Sequence, residues 1–283
     1  MEALSLGASD FVQKPSGSIS VDIATVKDRV SELLLAYGGK HRRFTKKIPD
    51  SGTGTTISSA PIKTTIASQL AGMGIGDPKP QKITPLRTNG KIEIIALGIS
   101  TGGPDALRVV FSKLDPALKV PILVVQHMPP GFTLEFARSL DKICPLDVKE
   151  AEDGEEIIPG RILIAQGSKH LEVERQGTKI AARLTNTPLV SGHRPSADVL
   201  FSSVAFAYTN HVLGVIMTGM GRDGAQQLGT IYKEGGLTIG QDENSAVVYG
   251  MPRVAFELGH VMEQVSLENM GKRISQVAIT SHL

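Results

Sequence analysis

From about Lys91 to its end the chain predicts an α/β fold: a doubly wound, mostly parallel sheet with helices on both faces and a small antiparallel β patch. Three observations carry this. Short apolar, β-branched runs alternate with helical patterns, and strands followed by helices imply right-handed crossovers between parallel neighbours. One such run, Ile92-Glu-Ile-Ile-Ala-Leu97, leads into the glycine-rich bend Gly98-Ile-Ser-Thr-Gly-Gly103 and then a helical stretch. Residues 150–187 lack a strong helical stripe but alternate at Leu171-Glu-Val-Glu174 and Lys179-Ile-Ala-Ala-Arg-Leu184, the period of a hairpin.

Taken in order, strands are expected at Ile92–Leu97, Pro121–Gln126, Arg161–Ala165, Val212–Met217, Leu237–Gly240 and Ala246–Tyr249. Helical patterns fall at Asp105–Leu114, Thr133–Ile143, Pro195–Ala207, Gly224–Glu234 and Pro252–Leu258. Before this unit the pattern is different. Residues 1–35 read as the end of something: the last turns of a helix closed by Gly7, a short strand Asp10–Gln13 ended by Lys14-Pro15, and a helical stripe at Val26, Val30, Leu33 and Leu34. One stripe needs a partner layer to bury itself, and 35 residues hold too little of one to fold alone. Residues 36–90 are rich in Gly, Ser, Thr, Pro and Lys with weak periodicity, the composition of a flexible linker.

At 283 residues the chain has ample material for a core, and its 41% hydrophobic and 20% charged residues are ordinary for a globular protein. No apolar stretch approaches a membrane span, and the first residues lack the basic start and apolar run of a signal peptide. A single cysteine, Cys144, excludes an internal disulfide and suits a reducing cytoplasm. Without a cysteine cluster, and with seven scattered histidines, no metal site and no cofactor are expected. The net charge of +2 hides an asymmetry. Ten Lys/Arg lie between Lys40 and Lys91 against Asp50 and Asp77, a local balance of +8 that leaves about −6 for the rest. With only Phe44 as an aromatic, this tract reads as a solvated linker rather than a nucleic-acid surface.

In open α/β sheets function gathers at the carboxyl ends of strands. Three predicted strand ends carry unusual residues: Ser100, then His127 in Gln126-His-Met-Pro-Pro-Gly131, then Asp223 in Thr218-Gly-Met-Gly-Arg-Asp-Gly224. Gly98-Ile-Ser-Thr-Gly102 has the spacing of a nucleophile elbow, in which small residues either side let the backbone pass close by. A serine needs a base to take its proton, imidazole both accepts and returns one near neutrality, and a carboxylate on the far ring nitrogen holds the tautomer. Gly219, Gly221 and Gly224 leave room for backbone amides to face a reacting carbonyl, with Thr101 and Met220 as candidate donors. The alternatives stay open at this level. His170, His193 and His211 are other bases, and Asp105, Asp153, Asp198 and Asp242 other acids. The Gly98–Gly103 bend also suits an anion at a helix N-terminus, although no acidic residue for a ribose stands about 20 residues on. A non-catalytic regulator acting through its surface is the third possibility.

Gly98-Ile-Ser-Thr-Gly-Gly103, Gln126-His-Met-Pro-Pro-Gly-Phe-Thr133, Ala151-Glu-Asp-Gly154, His193-Arg-Pro-Ser-Ala-Asp198, Thr218–Gly224 and Tyr249-Gly-Met-Pro-Arg253 occur in this order. Together they resemble the chemotaxis methylesterases of the CheB family over roughly residues 90–282. The resemblance implies a serine nucleophile at Ser100, its histidine at His127 and its aspartate at Asp223, with Thr101 and Met220 lining the site and the Met220 amide as oxyanion donor. It implies hydrolysis of glutamyl methyl esters on chemoreceptors with release of methanol, and deamidation of certain receptor glutamines. Methyl-accepting receptors are then the substrate, with no nucleic acid, no membrane insertion and a cytoplasmic location. Gly7-Ala-Ser-Asp-Phe-Val-Gln-Lys-Pro15 resembles the C-terminal part of a receiver domain, with Lys14 in the place of the lysine that contacts a phosphoryl group. The expected organisation is a receiver remnant at 1–35, a basic linker at 36–90 and the catalytic unit at 91–283. No phosphoacceptor is expected in this chain, so the catalytic unit is expected to be open without phosphorylation. A chemotaxis histidine kinase is a partner only where a full receiver lies upstream.

Overall fold

The computed structural model describes residues 90–283 apart from Thr178, together with scattered positions before them. Lys14 and most of residues 36–90 lie outside the described residues. Lys27, Val30, Ser31, Leu33, Leu34, Tyr37 and Gly38 are helical, in keeping with the stripe read there.

The unit runs β1 (Ile94–Ile99), α1 (Gly103–Phe111), β2 (Ile122–Gln126), α2 (Thr133–Asp141), β3 (Asp147–Glu150) and β4 (Arg161–Ile164). A hairpin follows, β5 (His170–Gln176) and β6 (Lys179–Thr185), then α3 (Ala197–Tyr208), β7 (Val212–Ile216) and α4 (Ala225–Lys233). It closes with β8 (Leu237–Gln241), α5 (Met251–Glu257), β9 (Glu263–Val265) and α6 (Leu267–Thr280). Seven strands form one sheet in the order β3-β4-β2-β1-β7-β8-β9, with every neighbouring pair parallel, and β5-β6 form a separate antiparallel pair.

β1 and β2 are buried on both faces, so their side chains divide between two cores by the period of two that a pleated strand imposes. Ile95, Leu97 and Ile99 face α1, α2 and α6 through Leu107, Phe111, Phe136, Ile274 and Val277. Ile94 and Ala96 face α3, α4 and α5 through Phe201, Val204, Leu228 and Met251, with Leu171 and Ala182 of the hairpin closing that side. Each fully buried Leu or Ile contributes roughly 1.5–3 kcal/mol. The predicted doubly wound architecture is therefore observed. From β1 the chain builds first toward β2, β4 and β3, then returns to build β7, β8 and β9 on the other side. The direction reverses between β1 and β7, and the carboxyl ends of those strands flank the crevice where such folds bind ligands.

Four elements differ from expectation, one of them β9, a three-residue edge strand at Glu263–Val265 to which the sequence reading assigned no element. Ala246–Tyr249 is not a sheet strand. It crosses the strand ends, where the Gly219 amide donates to the Val248 carbonyl at 3.0 Å, and only a single bridge joins Gly219 to Tyr249. β3 escapes the sequence pattern because it is an edge strand with Val148 as its one fully buried side chain. α6 carries a buried stripe at Met270, Ile274 and Val277 that packs across α1, and the sequence reading assigned no element there. Among the described residues no helix is long and apolar enough to cross a membrane.

Candidate active site

The sheet register assembles the site. Ile99 stands opposite Gln126, so Ser100 and His127 are the next residues along on two adjacent strand ends. The His127 amide donates to the Ile99 carbonyl at 3.2 Å, and the Ser100 amide donates to the Thr218 carbonyl just past β7 at 2.9 Å. Ser100 thus sits between its two neighbours at the switch point.

The turn after β1 depends on glycine at two places. Gly102 has φ of 78°, in the left-handed region, and closes the bend into α1, while the Gly103 amide donates to the Ser100 carbonyl at 2.8 Å. A Cβ on Gly98 would stand 2.7 Å from the Cβ of Ala197, so its bare backbone lets β1 approach α3. The small residues on either side of Ser100 therefore serve close approach, as the spacing predicts. Ser100 itself is not among the described residues with positive φ.

Ser100 Oγ lies 3.0 Å from His127 Nδ1, and His127 Nε2 lies 2.7 Å from Asp223 Oδ2. The three side chains that the sequence places on separate strand ends form one continuous relay, almost closed to solvent: Ser100 is 6% exposed and Asp223 1%. A carboxylate can only accept, so Nε2 carries the ring proton and Nδ1 is left free to take the proton of Ser100.

Asp223 is held by more than the histidine. Ser196 Oγ donates to Oδ1 at 2.6 Å, the Ala197 amide to Oδ2 at 2.6 Å and the Asp198 amide to Oδ1 at 3.2 Å, all from the start of α3. Burial pushes the Asp223 pKa up, but His127, the Ser196 hydroxyl and the Ala197 amide outweigh it and hold the carboxyl below its usual range. Asp198, whose amide reaches Asp223, goes the other way. Burial and the charge of Asp223 raise its pKa against the amides of Gln227 and Gly224 and the Ser191 hydroxyl.

Of the other candidate bases, His170 is buried with Nε2 3.1 Å from the Pro188 carbonyl, and His211 places Nδ1 2.8 Å from the Lys91 carbonyl, both away from Ser100. His193 does reach the site: its ring stacks on that of His127, centroids 3.8 Å apart and planes 13° from parallel. Of the other acids, Asp105 pairs with Arg108 at 3.5 Å, Asp153 accepts the Leu184 amide at 2.8 Å and Asp242 accepts the Ser245 amide at 3.0 Å. These are local structural roles. Burial pushes the Cys144 thiol up to about 11, with the Leu146 amide opposing and Asp141 adding, so it holds little thiolate at neutral pH.

Thr101 is buried, and its carbonyl accepts the Thr218 hydroxyl at 2.9 Å. Met220 is half exposed at the rim, and its amide has no acceptor among the described residues. Gly219, the residue before Met220, packs tightly against the nucleophile, since a Cβ there would lie 2.8 Å from the Ser100 Cβ and 2.3 Å from Met251 Sδ. The sequence reading overlooked two supporting side chains. Ser196 falls inside the helix expected at Pro195–Ala207, but the structure starts α3 at Ala197 and makes Ser196 its N-cap, a position where a hydroxyl is expected to work. Gln126 is a polar residue ending a buried strand, and its Nε2 donates to the carbonyls of Ser100 at 3.2 Å and His127 at 3.1 Å. Among the described residues no group of His, Cys, Asp and Glu has the arrangement to hold a metal ion.

A buried serine, imidazole and carboxylate in relay at a switch point form the constellation of an acyl-transfer enzyme. Known proteins bear on which one. A family model described as CheB methylesterase matches residues 95–274. A protein-glutamate methylesterase/protein-glutamine glutaminase of Treponema denticola is 58% identical over 278 residues, covering 98% of this chain and 73% of that protein. One of the same name from Treponema pallidum is 45% identical over 298 residues, covering 98% and 74%. The crystal structure of the Thermotoga maritima CheB methylesterase catalytic domain superposes with a TM-score of 0.64 at 37% identity, covering 67% of this chain and all of that one. With the motifs, the doubly wound sheet and the matched span in agreement, the chain belongs to the CheB methylesterase family.

Proposed function

We propose that this chain is a protein-glutamate methylesterase and protein-glutamine deamidase that acts on methyl-accepting chemotaxis receptors through Ser100, His127 and Asp223. The observation that carries the reading is the unbroken relay from Ser100 Oγ through His127 to Asp223, at 3.0 and 2.7 Å, at the switch point of the sheet. Ser100 Oγ attacks the side-chain carbonyl of a methylated glutamate while His127 Nδ1 takes its proton. The oxyanion is met by the Met220 amide, with Thr101 beside it. Loss of such a donor costs about 3 kcal/mol of transition-state stabilisation. Collapse breaks the C–O bond, and His127 returns the proton to the departing oxygen, so methanol leaves and an ester joins the glutamyl group to Ser100. Water then attacks that ester with His127 as base, and glutamate and the free serine result. A glutamine follows the same path with ammonia as leaving group.

Asp223 stays ionised throughout, which stabilises the imidazolium formed in each step. The chemistry draws on no cofactor. The receptor side chains lie on cytoplasmic helices, and a lone cysteine suits that reducing compartment. Residues 1–35 are proposed as receiver elements, 36–90 as a basic linker and 91–283 as the catalytic unit. The test is methanol release from methylated receptor membranes, comparing the chain with its Ser100→Ala variant. Abolished release with retained receptor binding supports the reading, and undiminished turnover removes Ser100 as nucleophile.

A further inference from the structure

We infer that His193 is a positioning residue for this site: its ring backs the imidazole of His127 and holds it in the plane that joins Ser100 to Asp223. The inference rests on the esterase reading above. His127 is gripped at its two nitrogens, by Ser100 at 3.0 Å and by Asp223 at 2.7 Å. Two such bonds fix where the nitrogens lie, but they leave the ring able to tilt about the line between them. A flat partner on one face removes that motion, and His193 supplies it, 3.8 Å away and 13° from parallel.

The loop that presents His193 is built for a fixed position. Val190 and His193 exchange backbone hydrogen bonds at 3.1 and 2.9 Å across a turn whose central residues, Ser191 and Gly192, both have positive φ, 53° and 80°. That conformation is uncommon for a serine. Ser191 Oγ donates to Asp198 Oδ2 at 3.2 Å, and the Asp198 amide donates to Asp223 Oδ1. One residue of α3 therefore ties the turn that carries the stacking ring to the carboxylate that orients the other edge of His127. The stack also acts on charge. His127 becomes a cation when it takes the proton of Ser100, and an aromatic face attracts a cation more than a neutral ring. The contact is thus stronger in the transition state than in the resting enzyme, which is the condition for raising kcat.

The experiment measures kcat and KM for methanol release from methylated receptor membranes, with thermal melts, for the wild-type chain, Ser100→Ala, His193→Ala and His193→Phe. His193→Ala is expected to lower kcat about tenfold with KM within about twofold, and His193→Phe, which keeps a flat face, to recover most of the loss. A kcat for His193→Ala within twofold of wild type overturns the inference. So does a rise in KM alone, which would make the ring a substrate contact, or a His193→Phe variant as impaired as His193→Ala. Should His193→Ala melt below the assay temperature, His193→Phe decides, retained kcat supporting the inference and loss overturning it. An inactive wild-type chain, or an active Ser100→Ala variant, sinks the esterase reading and this inference with it. Failure of the His193 variants alone leaves that reading standing.

Discussion

Ser196 donates its hydroxyl to Asp223 at 2.6 Å instead of to an amide of the helix it begins. The carboxylate of Asp223 caps that helix in its place, accepting from the first two amides of α3 while its other contact orients His127. A helix N-terminus favours negative charge through unpaired amides and the macrodipole. One carboxylate therefore serves the stability of α3 and the chemistry of the relay, and the two cannot be altered separately.

Removing either partner should be felt in both. Asp223→Asn keeps the shape but meets donors with an amide and leaves His127 in the wrong tautomer. It is expected to lower kcat by about 10³–10⁴. Ser196→Ala removes one donor and is expected to cost about 1 kcal/mol of stability with a smaller loss of kcat. Methanol-release kinetics and denaturant titration check both, and a Ser196→Ala variant equal to wild type in each would refute the link.

The paired acids give a pH signature with opposed signs. Asp223 has its folded pKa depressed, so its contribution is present above the unfolded value near 3.9 and lost as pH falls through the folded one. Asp198 has its folded pKa raised, so ionised Asp198 costs stability above that value, and the cost disappears below the unfolded one. Asp198→Asn should therefore raise Tm at pH 7–8, with each kcal/mol regained moving it by about 2–4 °C. The gain shrinks as pH is lowered and is absent near pH 4. Melting curves across this range test it, and a gain that grows toward acid contradicts it.

Gly219→Ala should damage the site by sterics alone. The new methyl would stand 2.8 Å from the Ser100 Cβ and 2.3 Å from Met251 Sδ, both in packed surroundings. Such overpacking costs about 1–3 kcal/mol; the flexible Met251 side chain can yield, but the Ser100 Cβ is tied to its backbone, so relief on that side displaces the nucleophile. A fall in kcat of more than about tenfold is expected, since small misplacements at a nucleophile carry that scale of penalty.

Gln126 joins the backbones of the nucleophile and the base. Gln126→Ala leaves the carbonyls of Ser100 and His127 short of a buried donor, a loss of about 1–3 kcal/mol. Because the side chain positions the relay and does not face substrate, kcat should fall while KM stays nearly constant. A change confined to KM would place Gln126 in substrate binding instead.

The residues alone determined the alternation of strands and helices, the glycine-flanked serine after β1, and the strand ends that hold His127 and Asp223. These are local matters: side-chain period, bend composition and residue type are written in short stretches of chain. The sequence did not mark Ala246–Tyr249 as a segment that crosses the strand ends, because an apolar β-branched run looks the same whether it pairs in a sheet or covers one. Nor did spacing choose among five acids and four histidines, since each stood in a plausible place, and within the sequence only the family resemblance singled out Asp223 and His127. Tertiary structure made that choice. The parallel register sets Ser100 beside His127, the switch of direction brings the β7 loop to the same rim, and the start of α3 supplies the donors that keep Asp223 charged. Which hydroxyl, ring and carboxylate form a relay depends on distances between residues as many as 96 positions apart, and only the folded sheet brings those within hydrogen-bond reach.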